Sequence, residues 1–441
     1  MSSEASQQQP NQIVTEPLPG LGAGSTGKAA EPHPAGRVKH GAIYQVLRML
    51  AFVTWVNMVL FSTHTTQILG SPLYLISQDY YYAYMALTKQ SFGLLMITLT
   101  QWFSPTVVRV SGDRSVRGQL LRTKDGLLQM DFPERTIMIA NHQLYSDWVY
   151  LWWAAYTNKM HGHLYIILKE ALKYVPIIGP GMMYYGFVFM ARNWIKDKPR
   201  LHHRLQKLKG RHSGPLSGSQ RLDPMWLLIF PEGTNLSANT RKGSNKWAEK
   251  QGIADLRHQL LPRTTGLQFC LQELKGTVDW VYDCTVAYEG IPRNGYGQDY
   301  FTLPSTYFQG RPPKSVNMYW RRFAVASIPI DDPKGFEKWV MQRWLEKEDL
   351  LEGYVQNGRL PADEGLDSDG GPAGHGATGG KGSQGAGYIE TEVQVAHWYE
   401  VGQIFVVLGA FALLANVLAK VWNLVMHGSL AGWPGKNASA L

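Results

Sequence analysis

The sequence predicts an α/β domain in which a sheet is covered by helices, with apolar membrane helices near both ends of the chain. Three observations support this prediction. Short apolar runs alternate with helical patterns between residues 106 and 355, an almost wholly apolar stretch begins at Ala42, and another begins at Val401. Alternating strand and helix patterns are typical of α/β domains, and the two apolar stretches are long enough to cross or deeply enter a bilayer.

Composition excludes several classes of protein. The 441 residues contain 43 Lys and Arg against 34 Asp and Glu, a formal net charge of +9. This excess is too thinly spread for a histone-like or arginine-rich protein, so we expect no nucleic acid partner, but it suits anionic membranes or phosphates. The mean hydropathy of −0.21 excludes a many-spanning membrane protein. The two cysteines, Cys270 and Cys284, exclude a disulfide framework and a structural zinc module.

The N-terminal residues 1–40 are predicted to form a disordered tail. They are rich in Ser, Gln, Pro, Gly and Ala and cannot bury enough surface to offset the chain entropy. Residues 22–28 match most of a phosphate-binding loop, but the strand that such a loop requires does not precede them. We therefore expect no ATP site in this tail.

Residues 41–105 are predicted to form a membrane helix hairpin from the apolar stretches 42–62 and 82–103. No Lys or Arg lies between Arg48 and Lys89, whereas basic residues flank both sides of the pair. By the positive-inside rule both flanks lie in the cytosol. Lys89 interrupts the second stretch, so a shallower, re-entrant pair is the alternative.

Residues 106–355 are predicted to form one α/β domain, residues 356–392 a Gly- and Asp-rich flexible linker, and residues 393–441 a C-terminal membrane helix with a short tail. Within the α/β domain, the candidate strands are residues 136–140, 164–168, 187–190, 226–230 and 285–288, and the candidate helices are residues 148–157, 196–209, 244–251 and 334–354.

The strongest local pattern is Asn141-His142 followed by Asp147, five residues after the histidine. On one continuous helix the side chains of His142 and Asp147 would point about 140° apart and would not meet. They meet if His142 lies on the turn after strand 136–140 and Asp147 lies in the next helix. Asp147 would then fix the imidazole tautomer and leave the other ring nitrogen as a general base toward a substrate hydroxyl. A structural histidine and a helix-capping residue are the alternative.

A second pattern, Phe230-Pro231-Glu232-Gly233-Thr234, follows an apolar strand. Ligand crevices of open α/β sheets form at the carboxyl ends of strands, so the pattern places a carboxylate and flexible backbone at such an edge. Because a carboxylate only accepts hydrogen bonds, we expect Glu232 to accept from a substrate hydroxyl or to hold a neighbouring arginine. A turn with a solvated glutamate is the alternative.

Together these patterns resemble the acyl-CoA-dependent glycerophospholipid acyltransferases of the 1-acylglycerol-3-phosphate acyltransferase type. Two further blocks occur in the expected order: residues 186–194 around Arg192 are similar to the phosphate-binding block of that family, and residues 169–179 resemble the block that joins its first two motifs. Residues 244–266 are similar to the eukaryotic subgroup that includes lysocardiolipin and lysophosphatidylinositol acyltransferases. The resemblance implies a mixed sheet flanked by helices.

The resemblance also implies an enzyme that transfers a fatty acyl group from acyl-CoA to a free glycerol hydroxyl of a lysophospholipid. His142 would remove the hydroxyl proton and Asp147 would steady the imidazolium, without a covalent acyl-enzyme. Arg192 would hold the acceptor phosphate, Glu232 would orient the glycerol, and Lys169 or backbone amides near Gly233 would stabilise the oxyanion. The expected substrate-binding residues are Arg192, Glu232, Gly233, Thr234 and Lys169.

The expected partners are acyl-CoA as co-substrate, a lysophospholipid and membrane lipids, with no cofactor and no metal. Arg241, Lys242 and Lys246 follow the glutamate pattern and are further candidates for phosphate contacts. The expected location is the endoplasmic reticulum membrane, with the catalytic domain facing the cytosol. Two alternatives are a membrane-bound hydrolase of lipid esters or acyl-CoA, and a non-enzymatic scaffold built on a degenerate acyltransferase domain.

Overall fold

The structure, a computed structural model, describes residues 33–213, 220–361 and 388–427. Most of the predicted disordered tail, including the loop-like residues 22–28, therefore lies outside the described residues. The same holds for the larger part of the predicted linker and for the tail after residue 427.

The described chain contains a large sheet and two small hairpins. The strands are β1 (Val107–Gly112), β2 (Leu120–Arg122), β3 (Leu128–Met130), β4 (Arg135–Ala140), β5 (Leu164–Lys169), β6 (Val188–Met190), β7 (Arg211–Ser213), β8 (Gln220–Leu222), β9 (Met225–Ile229), β10 (Trp280–Tyr288), β11 (Ser315–Ala324) and β12 (Ile389–Glu392).

The large sheet has eight strands in the order β12-β1-β11-β10-β4-β9-β5-β6. Strands β10, β4, β9, β5 and β6 run parallel to one another, and β1 runs parallel to β11. The pairs β10–β11 and β1–β12 are antiparallel. The mixed sheet that the resemblance implied is confirmed, and each of the five candidate strands overlaps a strand of this sheet.

Helices cover both faces of the sheet. They are α1 (Ala42–Gly70), α2 (Leu73–Ile76), α3 (Gln78–Phe103), α4 (Asp147–Thr157), α5 (Ile178–Tyr184), α6 (Trp194–Leu208), α7 (Ala238–Gln251), α8 (Thr264–Glu273), α9 (Gly297–Tyr300), α10 (Pro333–Asn357) and α11 (Val406–His427).

Two hydrophobic cores lie on opposite faces of the sheet. Successive residues of β4 alternate between them: Met138 belongs to the core beneath α3 and α4, and Ile139 belongs to the core beneath α8 and α10. Both side chains are fully buried. A strand that is covered on both faces is apolar along its whole length, which explains why the sequence of β4 shows no alternation.

Two described segments are long and apolar enough to cross a membrane, Ala42–Ile76 and Trp398–Met426. Helix α3, the second helix of the predicted hairpin, is not one of them. It does pack against α1, but Leu94, Leu95 and Ile97 are fully buried in the protein core. Lys89 is also buried, with its Nζ 3.6 Å from the centroid of the Tyr165 ring. The apolar surface of α3 therefore covers the sheet in this stretch, and the membrane hairpin, spanning or re-entrant, stays a prediction.

The end of the predicted linker belongs to the sheet. Strand β12 pairs with β1, and Ile389 and Thr391 are its buried residues. The hydroxyl of Tyr388 donates to the carbonyl oxygen of Leu360, so the two described ends of this connection are neighbours. Beyond β12, a 3₁₀ segment (Trp398–Phe405) packs against α1 and α3. The linker prediction is therefore wrong for residues 389–392, because their alternating pattern supplies an edge strand.

Candidate active site

The carboxyl ends of neighbouring parallel strands bring the predicted site segments to one edge of the sheet. In the order β4, β9, β5 and β6, parallel strands end at the same edge, which is where crevices of α/β sheets form. The residues at these strand ends are His142 after β4, Glu232 after β9, Lys169 at the end of β5 and Arg192 after β6.

His142 and Asp147 are in direct contact. His142 lies in the loop after β4, Asp147 is the first residue of α4, and the imidazole Nδ1 is 2.8 Å from Asp147 Oδ2. The fully buried carboxylate also accepts the Leu144 N–H at 2.9 Å through Oδ2 and the Tyr288 hydroxyl through Oδ1. Since this carboxylate only accepts, Nδ1 carries a proton and the neutral ring has its lone pair on Nε2.

The outer side of the imidazole is accessible. The ring of His142 stacks on Phe230, with ring centroids 4.2 Å apart and planes inclined by 22°. The side chain is 17% exposed, and within residues 33–213, 220–361 and 388–427 no group forms a hydrogen bond with Nε2. The geometry therefore leaves a held, basic nitrogen facing the sheet edge.

Two residues that sequence reasoning missed support this pair. The side-chain amide of buried Asn141 bonds both backbone groups of Val286, at 2.8 and 2.9 Å, which extends the pairing of β4 with β10 beyond the last ladder residue. Tyr288, two residues further along β10, donates to Asp147 from 141 positions away in the chain. Asn141 stands next to His142 in the motif, whereas no local signal indicates Tyr288.

Glu232 is a buried group that holds the backbone, and its expected role in orienting substrate stays a prediction. One oxygen, Oε1, accepts the His142 N–H at 2.7 Å, and Oε2 accepts the Leu260 N–H at 2.9 Å. The residue is 2% exposed, and burial raises the pKa of Glu232 to about 8 although both N–H groups act to lower it. Because Leu236 also donates its N–H to the His142 carbonyl at 2.7 Å, the second motif holds the base on both sides.

The loop that carries Leu260 is itself anchored by α7 and α10. The Arg241 guanidinium pairs with Asp255 at 3.0 Å and donates to three loop carbonyls, including that of Gln259 at 2.9 Å. Glu348 of α10 accepts the backbone N–H groups of Arg257 and His258 in the same loop. Arg241 is thus engaged with Asp255 and with the protein's own backbone, and its expected contact with phosphate stays a prediction.

Arg192 lies beside the second motif. It adopts a left-handed conformation (φ 64°), and buried Asp197 accepts the N–H groups of Ala191 at 2.8 Å and Asn193 at 2.9 Å, which fixes the backbone around it. The exposed guanidinium donates to the Gly233 carbonyl at 2.9 Å. The structure therefore brings Arg192, the residue predicted to bind phosphate, next to the motif of residues 230–234 that holds His142.

The remaining predicted residues are less closely connected. Gly233 has φ 73° and donates its N–H to the Phe230 carbonyl at 2.9 Å, so this amide belongs to the turn and does not face a substrate. Lys169 is exposed, and Thr234 is half-buried. In the part of the chain that the structure describes, neither Lys169 nor Thr234 forms a hydrogen bond with another predicted site residue.

Groups for metal or thiol chemistry are not assembled here. Among the described residues, no three His, Cys, Asp or Glu side chains stand close enough together to hold a metal ion. Both cysteines are buried, and burial raises the pKa of the Cys270 thiol to about 12. A thiol held so far from its ionised form is a poor nucleophile.

Comparisons with known proteins agree with this geometry. Residues 129–289 match the family model described as acyltransferase, and residues 306–375 match the one described as acyltransferase C-terminus. An uncharacterized acyltransferase from Schizosaccharomyces pombe is 36% identical over 315 residues, which cover 71% of this chain and 87% of that protein. The chain belongs to the acyltransferase family.

Other relatives of this acyltransferase carry more specific names. The 2-acyl-1-lysophosphatidylinositol acyltransferase of Saccharomyces cerevisiae is 36% identical over 302 residues, covering 63% of this chain and 76% of that protein. Lysocardiolipin acyltransferase 1 of Danio rerio is 35% identical over 228 residues, which cover 51% of this chain and 53% of that protein. The acyltransferase match contains both motifs, and the C-terminal match contains the whole of α10.

Proposed function

We propose that this acyltransferase moves a fatty acyl group from acyl-CoA to a free glycerol hydroxyl of a lysophospholipid, with His142 as the general base. The observation that carries the proposal is the 2.8 Å contact of His142 Nδ1 with buried Asp147, which leaves Nε2 at the open edge of the sheet. A neutral imidazole with its lone pair at an open edge is suited to accept a proton from a substrate hydroxyl.

The proposed reaction needs one base and no covalent intermediate on the protein. The substrate hydroxyl gives its proton to Nε2 of His142 while its oxygen attacks the thioester carbonyl. The tetrahedral intermediate then collapses, the carbon–sulfur bond breaks, and the imidazolium returns the proton to the sulfur of CoA. Asp147, 2.8 Å from Nδ1, stabilises the imidazolium between these steps. The burial of both cysteines supports direct transfer.

Arg192 is proposed to hold the phosphate of the acceptor. Its guanidinium is exposed at the same strand edge as His142 and has a rigid fork that matches phosphate oxygens. The relatives named for lysophosphatidylinositol and lysocardiolipin support a phosphate-bearing lysolipid as the acceptor class. Glu232 contributes indirectly, through the backbone of His142.

The proposed location is the endoplasmic reticulum membrane, with the catalytic domain on the cytosolic side. Two apolar segments that are long enough to span a bilayer support membrane attachment. A site at the cytosolic leaflet would meet soluble acyl-CoA and a membrane lysolipid together. The two free cysteines of the domain are compatible with a reducing compartment.

The test is acyl transfer by the purified full chain in lipid vesicles, supplied with mixed acyl-CoA and a panel of lysophospholipids and analysed by lipid mass spectrometry. We expect a diacyl phospholipid product in wild type and loss of at least a thousandfold in His142→Ala. His203→Ala, which changes an exposed histidine of α6, is the matched control. Activity of His142→Ala within tenfold of wild type would reject the base assignment, and release of free fatty acid without lysolipid would favour the hydrolase.

A further inference from the structure

A cavity of about 210 Å³ lies beside the His142–Asp147 pair. Its walls include Gln143, the residue after His142, and Tyr288, whose hydroxyl donates to Asp147. The segment after β10 and the end of α10 complete it. The cavity therefore shares residues with the support of the base, although no predicted substrate-binding residue lines it.

The strand order places this cavity opposite Arg192. Strand β4, which leads to His142, has β9, β5 and β6 on one side and β10 on the other. Arg192 follows β6, whereas the cavity is built on the end of β10. A transfer between two substrates requires both to reach Nε2, and the two sides of β4 offer two separate approaches. One side carries the proposed acceptor phosphate site, and the other carries this cavity.

The charged side chains around the cavity are paired with one another, except for one arginine. Glu352 accepts from His258 Nε2 at 2.7 Å and from Arg293, and hydrogen bonding by His258 contributes most to lowering the pKa of Glu352 to about 2. Glu289 is 3.4 Å from Arg109, which also lies 2.8 Å from Glu390, and Glu348 accepts the backbone N–H of Arg257. Arg257 lines the cavity and has no ion pair with any residue that the structure describes. Glu289 and Glu352 thus each have a basic partner, and the Arg257 guanidinium is available to a ligand.

The backbone that carries Arg257 is held firmly. Its N–H donates to Glu348 at 2.6 Å, and its carbonyl accepts from Arg241 at 2.8 Å. Three residues further on, Leu260 donates to Glu232, which in turn holds His142. A guanidinium on a fixed backbone loses less freedom when it binds an anion. The same anchored loop thus connects the cavity to the base.

We propose that this cavity binds a phosphate-bearing part of one of the two substrates, with Arg257 as its charged ligand. The source is either the nucleotide end of acyl-CoA or the headgroup of the lysophospholipid, and the proposal rests on the acyl transfer proposed above. The cavity is smaller than the roughly 300–1,000 Å³ typical of pockets that enclose drug-sized ligands. With charged walls, it fits a phosphate and a small polar neighbour better than an acyl chain.

The test compares Arg257→Glu with Arg122→Glu in the full chain in vesicles of phosphatidylcholine. Arg122 is an exposed arginine of β2 outside the cavity, so its variant controls for the same change in net charge. We expect Arg257→Glu to raise the KM of one substrate at least tenfold and to keep kcat within threefold, because the His142 contacts are unchanged. A higher KM for oleoyl-CoA assigns the nucleotide end, and a higher KM for lysophosphatidylinositol assigns the headgroup.

A binding measurement separates this proposal from the proposed function. Calorimetry with CoA alone and with glycerophosphoinositol alone compares wild type, Arg257→Glu and Arg122→Glu without any turnover. If wild type transfers no acyl group, the proposed function fails, but weaker binding of one probe to Arg257→Glu alone still supports the cavity. The proposal is overturned if the affinities for both probes in Arg257→Glu stay within twofold of the control, or if neither probe binds wild type.

Discussion

Replacing Asp147 by Asn tests the electrostatic role of this carboxylate at constant volume. In the native site Oδ2 accepts from His142 and from the Leu144 N–H, and Oδ1 accepts from the Tyr288 hydroxyl. An asparagine with its oxygen toward His142 directs its NH₂ at Tyr288, whose hydroxyl can rotate and accept. The side chain therefore fits, and the variant loses the negative charge beside the imidazolium.

The contact distance gives the size of the effect. Two unit charges 2.8 Å apart attract each other by about 6 kcal/mol at an effective dielectric constant of about 20. The asparagine dipole and the surrounding solvent replace part of this attraction, so we take about half, roughly 3 kcal/mol, as the loss in the transition state. Since about 1.4 kcal/mol corresponds to tenfold in rate, kcat of Asp147→Asn should fall by about two orders of magnitude.

The assay is the release of free CoA thiol at saturating lysophospholipid, with kcat and both KM values measured. We expect the KM values to stay within threefold, because Asp147 contacts no proposed ligand. Tyr288→Phe is the matched variant: it keeps the charge and removes one hydrogen bond, so its loss in kcat should be about tenfold or less. If Asp147→Asn retains kcat within fivefold of wild type, the carboxylate does not stabilise a charged imidazole and the proposed mechanism is refuted.

Two further predictions concern stability. Glu232→Gln should lower both the melting temperature and kcat. The NH₂ group of the glutamine must face the backbone N–H of either His142 or Leu260, and two donors cannot form a hydrogen bond with each other. Unchanged thermal unfolding and turnover would contradict the positioning role of Glu232. Stability should also fall as the pH drops from about 6.5 toward 4, because burial lowers the pKa values of His161 and His163 to about 4 and the unfolded chain then binds more protons than the native protein. The expected loss is about 2–3 kcal/mol for buried His161 and less for half-buried His163. His161→Leu should flatten the dependence of stability on pH, measured by thermal unfolding with tryptophan fluorescence. A profile as steep as that of wild type would contradict the role of His161.

The part of the site that the sequence predicts is the local part. His142 follows an apolar strand, Asp147 begins the next helix, and only a turn separates them. The sequence analysis predicts their contact in that arrangement, which the structure has. Tyr288 and Leu260 reach the same centre from 141 and 28 positions away from their partners. Such contacts depend on strand order and on a loop anchored by another helix, and no periodicity along the chain encodes them.

The backbone contacts of Glu232 escape prediction from sequence for a related physical reason. The motif predicts a carboxylate at the correct edge of the sheet, but not which donors surround it. In the fold two backbone N–H groups reach this carboxylate, at 2.7 and 2.9 Å. Buried backbone groups must find partners, so the glutamate serves the protein's own loops and leaves substrate contacts to exposed residues such as Arg192.

Helix α3 shows the corresponding limit for membrane segments. Hydropathy measures how strongly a segment favours transfer out of water. Apolar side chains can be buried in a protein core as well as in lipid. Leu94, Leu95 and Ile97 are fully buried against the sheet, whereas α11 leaves most of its apolar side chains uncovered. The distinction between these two helices therefore depends on what packs against them.

The contact between Tyr388 and Leu360 makes the intervening stretch a suitable place for protein engineering. Residues 362–387 connect the end of the α10 segment to β12, and the described residues at the two ends, Leu360 and Tyr388, are neighbours. Closing a loop of twice the length costs only about 0.6 kcal/mol more. An affinity tag or a fluorescent domain inserted there would report on the enzyme while both candidate membrane helices and the strand edge with His142 keep their native sequence.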